Sequence, residues 1–121
     1  MIRIIAILCV AIVAVDAIES AISVSTGIPY ARFMFVQIVA YVAIGFVLRR
    51  IAVPLGRTLV AVAVTALVEA TLGEWVAVAM HASPPVPLGI YVFVIPVVII
   101  VECGLGATGW AFGSIGRIAR S

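Results

Sequence analysis

Four apolar runs, at about residues 2–27, 30–48, 58–80 and 88–112, divide the chain, and each is long enough for a helix that crosses a hydrocarbon core of about 20 residues. Polar residues interrupt these runs at helical rather than alternating spacing. In the first run Asp16, Glu19, Ser20 and Ser23 stand at i, i+3, i+4 and i+7, one stripe on an otherwise apolar rod. In the second, Tyr30, Gln37, Tyr41 and Gly45 repeat at i, i+7, i+11 and i+15, and in the third Thr58, Thr65, Glu69 and Gly73 follow the same offsets. In the fourth, Glu102, Gly106, Gly109, Gly113 and Gly116 form a face that is almost bare backbone. The pattern predicts a single all-α domain, an integral membrane bundle of four transmembrane helices whose polar stripes face one another.

The connections agree with this division. Thr26-Gly27-Ile28-Pro29 breaks the first run from the second, and Arg49-Arg50 with Pro54, Gly56 and Arg57 forms the next loop. Three prolines in four positions, Pro84, Pro85 and Pro87, hold the third connection extended. Pro96 is expected to kink the fourth helix or loosen one of its turns. Trp75 has the character of an interfacial anchor. The start of the chain also imitates a secretory signal, with Arg3, an apolar stretch and Val15-Asp16-Ala17 at the place of a cleavage site. The aspartate beside that site and the renewed hydrophobicity after it argue that the first helix is retained.

Composition sharpens the class. The chain has 121 residues, is 66% hydrophobic and has a mean hydropathy of +1.41, far above soluble domains. Its seven basic residues are all arginine, and a net charge of +2 is too small and scattered for nucleic-acid binding. Arg3, Arg49, Arg50, Arg57, Arg117 and Arg120 fall on one side of the expected bundle and only Arg32 on the other, which predicts both termini inside, in the cell inner (plasma) membrane. Cys9 and Cys103 lack the spacing of a zinc or redox pair and are expected to be buried apolar residues. Gly104-x-Gly106-x-x-Gly109 matches a dinucleotide fingerprint only as a string, since no strand precedes it.

The acids carry the chemistry. All five (Asp16, Glu19, Glu69, Glu74 and Glu102) lie within or at the rim of apolar runs. At 1.5 Å per residue, Asp16 and Glu69 come out at comparable depth, about 16 to 20 Å into a core about 30 Å thick, with Gln37 at the same level. Glu19 and Glu74 lie further out, Glu74 turned about 140° from Glu69, and Glu102 forms a separate inner acid. Two carboxylates close together in low dielectric cannot both ionise easily, so the pair can exchange a proton for a cation. The expected site therefore comprises Asp16 and Glu69 as exchanging groups, with Glu19, Ser20, Ser23, Gln37 and Thr65 in support. Glu19 and Arg32 are the expected gate pair. Glu102, Gly106, Gly109 and Gly113 are expected to pack helices, Gly109-x-x-x-Gly113 having the spacing of a close-approach face. His81 is the only histidine and is expected in a solvated loop. With no nucleophile, base and orienter at one depth, no enzyme, metal or cofactor is expected.

In size, four-span layout and an acid in the first helix, the chain resembles the small multidrug resistance transporters, which exchange protons for cationic substrates through a dimer. It departs from them in carrying both Asp16 and Glu19, further acids on other helices, and a strong arginine asymmetry, so no residue roles transfer. The function expected is a proton- or cation-coupled secondary transporter or channel, homo-oligomeric within the lipid bilayer. The alternative is a non-transporting accessory or scaffold subunit docked on a larger membrane protein.

Overall fold

The computed structural model describes the chain at residues 1–82, 84, 85 and 87–120, with side chains as far as residue 115. Ser83, Val86 and Ser121, and the side chains of Arg117 and Arg120 used in the arginine count, lie outside the described residues. The fold is all-α: α1 (Ile2–Thr26), a 3-10 turn (Tyr30–Phe33) leading into α2 (Met34–Arg50), α3 (Leu55–Val68), a π-helical turn (Glu69–Gly73), α4 (Glu74–Ala79) and α5 (Leu88–Arg120). The 3-10 turn belongs to the second span, and α3, the π turn and α4 together form the third. Among the described residues four helices are long and apolar enough to cross a membrane.

The third span begins at Leu55 rather than Thr58, because Pro54 sits extended at its N-cap (φ −62°, ψ 156°) and Leu55, Gly56 and Arg57 make the first turn. There the free N–H groups need no intrahelical partner, and Thr58 N–H is the first to close on the Pro54 carbonyl, at 2.9 Å. The fourth helix runs through Pro96 and on past residue 112.

Two helix ends close with non-glycine residues in the left-handed region. After α2, Ala52 (φ 66°) donates to the Arg49 carbonyl and Val53 to that of Leu48; after α4, His81 (φ 60°) donates to Val78 and Ala82 to Ala77. These paired bonds are the glycine-type C-cap with a Cβ added, a conformation that disfavours an L side chain. Ala52→Gly is therefore expected to stabilise the protein by about 0.5–1 kcal/mol, read as a higher midpoint in thermal unfolding from detergent.

A small apolar core of Ile12, Tyr41, Val62 and Ala66 joins α1, α2 and α3, but α1 otherwise packs inside out. The residues α1 buries are Ile12, Asp16, Glu19, Ser20 and Ser23, while Ile2, Ile7, Val10 and Ile18 are exposed. α1 lies against the third span, and α3 also touches α2 and α5. The most extensive contact joins α2 to α5 along their residues 42–49 and 106–113. There the glycines remove side chains between two backbones: a Cβ on Gly45 would run into the Gly106 carbonyl, and one on Gly109 into that of Val42. Gly113 opens space for Arg49, whose guanidinium lies 4.1 Å over the Trp110 ring, and the Trp110 indole donates to the Val53 carbonyl at 2.9 Å. This seam closes one end of the bundle. The first half of α5, from Leu88 to Val101, is mostly exposed, and a crevice opens between it and the polar stripes.

Candidate functional site: a crevice lined by carboxylates

The crevice has a volume of about 540 Å³ and is lined by Asp16 and Glu19 of α1, Gln37 of α2, Glu69 and Glu74 of the third span, and Glu102 of α5. All five acids of the chain thus share one space. Among the described residues that line it there is no arginine or histidine. The opposite wall is hydrocarbon, supplied by the α5 residues Val94, Val97, Val98 and Val101.

Two tiers can be read from the helix register. α2 and α5 run side by side in the same direction, with Gly45 against Gly106. Gly45 faces the stretch between the Gly106 carbonyl and the Trp110 amide, and Gly109 that between the Val42 carbonyl and the Phe46 amide, so Glu102, seven residues before Gly109, stands near the level of Gln37 and Ile38. The Tyr41 hydroxyl, about one turn of α2 away from that level, donates to Glu69 Oε2. One turn further along α2, Gln37 Nε2 donates to Asp16 Oδ1 at 2.7 Å and to Glu19 Oε2 at 3.4 Å, and the Tyr30 hydroxyl donates to Asp16 Oδ1 at 3.2 Å. The lower tier is thus Glu69 and Tyr41; the upper is Asp16, Glu19, Gln37 and Tyr30, with Glu102 of α5 at its level. Asp16 and Glu69, expected at comparable depth, are neighbours: a Cβ on Gly73 would lie 3.1 Å from Asp16 Cγ and 3.5 Å from Glu69 Cγ.

The π turn explains the most consequential departure from the sequence reading. In a regular α-helix, a five-residue separation turns Glu74 away from Glu69, whereas i→i+5 bonding sets residue i+5 above residue i. The turn spans Glu69–Gly73, so Glu74 returns to the crevice side. It also places Gly73 against α1, where a Cβ would collide with Asp16 Oδ2. Glu102 departs too. Its glycine neighbours hold α5 on α2, but its own carboxyl faces the shared crevice and does not form a separate inner site.

The hydroxyls are spent elsewhere. Ser20 donates to the Asp16 carbonyl at 2.8 Å, Ser23 to that of Ile28 at 2.6 Å, and Thr65 to that of Ala61 at 2.8 Å. Each is buried and satisfies backbone, so none of the three donates to a carboxylate. Arg32 is exposed on the 3-10 turn, and among the described residues no ion pair joins it to Glu19. Cys9 and Cys103 are free and partly buried, and the Cys103 thiol lies 3.8 Å from the Leu59 carbonyl.

Several acceptors are left without partners. Asp16 is 1% exposed, Glu19 4% and Glu102 8%, and Asp16 Oδ2, Glu19 Oε1, Glu102 Oε2 and Gln37 Oε1 are buried with no hydrogen bond. An unsatisfied buried acceptor costs about 1–3 kcal/mol, more for a charged group. Protons, water or a donor-bearing ligand would satisfy these oxygens.

No protein-family model, curated protein or solved structure matches the chain. The chemistry accordingly rests on the geometry. Among the described residues no three His, Cys, Asp or Glu side chains approach closely enough to hold one metal ion. The crevice offers carboxylate acceptors from α1, the third span and α5, and a hydrocarbon surface from the valines of α5. Sequence reasoning placed Tyr30 and Tyr41 on the stripe of Gln37 without giving them a role, and it passed over Tyr91, which also lines the crevice. The offsets of seven and eleven that joined Tyr30 to Gln37 and Tyr41 were the available signal. For Tyr91 there was none.

Proposed function

We propose that the chain is a multi-pass membrane protein that exchanges protons for cations through the carboxylate crevice. One observation carries the reading: five acids converge on a single space whose described lining contains no basic side chain. Ionised together in low dielectric they would repel strongly, so the crevice holds its charge down by taking up either protons or cations, and the two compete. Intramembrane acids face cavities and mark ion pathways for this reason.

Membrane residence is supported by the surface, which is rich in Ile, Val, Leu and Phe, while the interior holds acids and hydroxyls beside a small apolar core of Ile12, Tyr41, Val62 and Ala66. The arginine distribution supports both termini inside, with the crevice nearer the opposite face of the plasma membrane. Homo-oligomers are part of the proposal, because the exposed half of α5 leaves the crevice without a full wall on one side.

Flux tests the reading. In proteoliposomes, the double variant Asp16→Asn, Glu69→Gln is expected to fall to the proton and cation flux of protein-free vesicles while eluting from detergent gel filtration like the parent. Unchanged flux would overturn it.

A further inference from the structure

All five acids line the crevice, and the other end of α2 is basic. α2 ends in Arg49-Arg50, the first turn of α3 carries Arg57, and only residues 51–54 lie between them. Arg49 is the best anchored of the three. Gly113 makes room for its stem, its guanidinium lies 4.1 Å over the Trp110 ring, and Trp110 is itself pinned by its bond to the Val53 carbonyl. Arg49 Nε is buried without a hydrogen bond, and among the described residues no carboxylate pairs with the group. The fold has thus fixed a cation in place and supplied no anion for it. A planar guanidinium held in this way gives up little freedom when it takes a phosphate through two parallel hydrogen bonds.

The surroundings select among phosphates. Phe46 and Val47 of α2, Ile51, Leu55 of α3 and Phe112 of α5 are all exposed, and the Arg50 guanidinium stands 5.2 Å from the centre of the Phe46 ring. Free inorganic phosphate gains nothing from an apolar surface. A phospholipid with a net negative headgroup matches both parts, its charge with the arginines and its chains with the hydrocarbon. The order along the helix fits as well. Phe46 and Val47 lie about one turn before Arg49, towards the middle of α2, where acyl chains hang from a headgroup held at its end. The crevice repels the same headgroup, because its own groups are acids.

Resting on the membrane placement proposed above, we infer that the α2–α3 connection binds an anionic phospholipid. Its phosphate lies on the Arg49 guanidinium and its chains run along Phe46, Val47 and Phe112, with Arg57 adding charge from the start of α3. The lipid is then a partner of the α2–α5 seam, at the end of the bundle away from the crevice.

The experiment is a lipid titration on the full chain in non-ionic detergent, read by native mass spectrometry as retained lipid. The probes are phosphatidylglycerol and phosphatidylcholine with identical chains, and inorganic phosphate as the soluble competitor. Phosphatidylglycerol is expected to be retained at least about tenfold more strongly than phosphatidylcholine, and an equal concentration of inorganic phosphate is expected not to displace it. An arginine near an anionic surface is worth about fivefold, so Arg57→Gln should lower the preference by about that factor and Arg49→Gln by more. Arg32→Gln makes the same charge change at the other end of α2 and should leave the preference unchanged. Equal retention of the two lipids, displacement by inorganic phosphate, or equal losses in Arg32→Gln and Arg49→Gln overturns the inference. If Arg49→Gln does not fold, the exposed Arg57 decides, and an unchanged preference in Arg57→Gln overturns it. Alkaline washing of phosphatidylcholine vesicles keeps the two readings apart: a chain that stays in the vesicles but shows no lipid preference removes the lipid site alone, whereas a chain that washes out removes the membrane placement as well.

Discussion

Gly109→Val is expected to cost the protein most of its stability, because the new side chain meets backbone and not another side chain. A Cβ at this position runs into the Val42 carbonyl and crowds the Phe46 amide, and neither can rotate aside. Overpacking a well-filled core costs about 1–3 kcal/mol when side chains can shift, and a contact between rigid helices belongs at or above the upper end. Gly45→Val is expected to behave alike, since its Cβ would overlap the Gly106 carbonyl. Gly104 provides the control: on the same helix, nothing lies within 4 Å of its Cβ direction, and Gly104→Val should change stability by no more than about 0.5 kcal/mol. Unfolding of the three variants in mixed micelles measures the difference. If Gly104→Val and Gly109→Val melt together, the α2–α5 seam is not where the bundle's stability resides.

The same glycines show what could be read in advance and what could not. Gly106, Gly109 and Gly113 lie on one face by spacing alone, and Tyr41, Gly45 and Leu48 of α2 are buried in the structure, so stripe-on-stripe packing of whole helices was legible. The helix count was legible for a similar reason, since each apolar run carries its own stop signal in glycine, proline or arginine. The merging of five acids into one crevice was not. It depends on two features without a periodic signature: the extra residue of the π turn, which rotates Glu74 back over Glu69, and the glycine contacts of α2 with α5, which set Glu102 near the level of Gln37. Counting at 1.5 Å per residue from the ends of the runs missed both, because it assumes regular helix throughout and an independent starting depth for each span. The serines failed differently. Ser20 and Ser23 lie on the acidic stripe as their spacing requires, but a hydroxyl four residues from a helical carbonyl finds that carbonyl first.

Gly73→Ala should separate the site from the scaffold. Gly73 is the last residue of the π turn and buried against α1, and Asp16 Oδ2 occupies the space its Cβ would need. The nearest atom is therefore the end of a short side chain, which can swing away, so the fold survives where Gly109→Val does not. Its displacement has a specific cost. Asp16 Oδ1 is held by both Gln37 Nε2 and the Tyr30 hydroxyl, and rotation of the carboxyl breaks at least one of these bonds. Gln37 also bridges to Glu19, so the disturbance passes to the second acid of the upper tier; Glu69 meets the new methyl only in ordinary contact, at 3.5 Å from its Cγ, and its carboxyl is held separately by Tyr41. Misplacement of a functional group by about 1 Å can cost about a hundredfold in rate, and flux in proteoliposomes is expected to fall on that scale while the melting temperature changes little. Asp16→Asn, which keeps the shape and removes the charge, should give a comparable loss without moving the helix. A Gly73→Ala variant that transports like the parent would show that the contact between Asp16 and the π turn is packing alone, and would shift the working acids to Glu69 and Glu102.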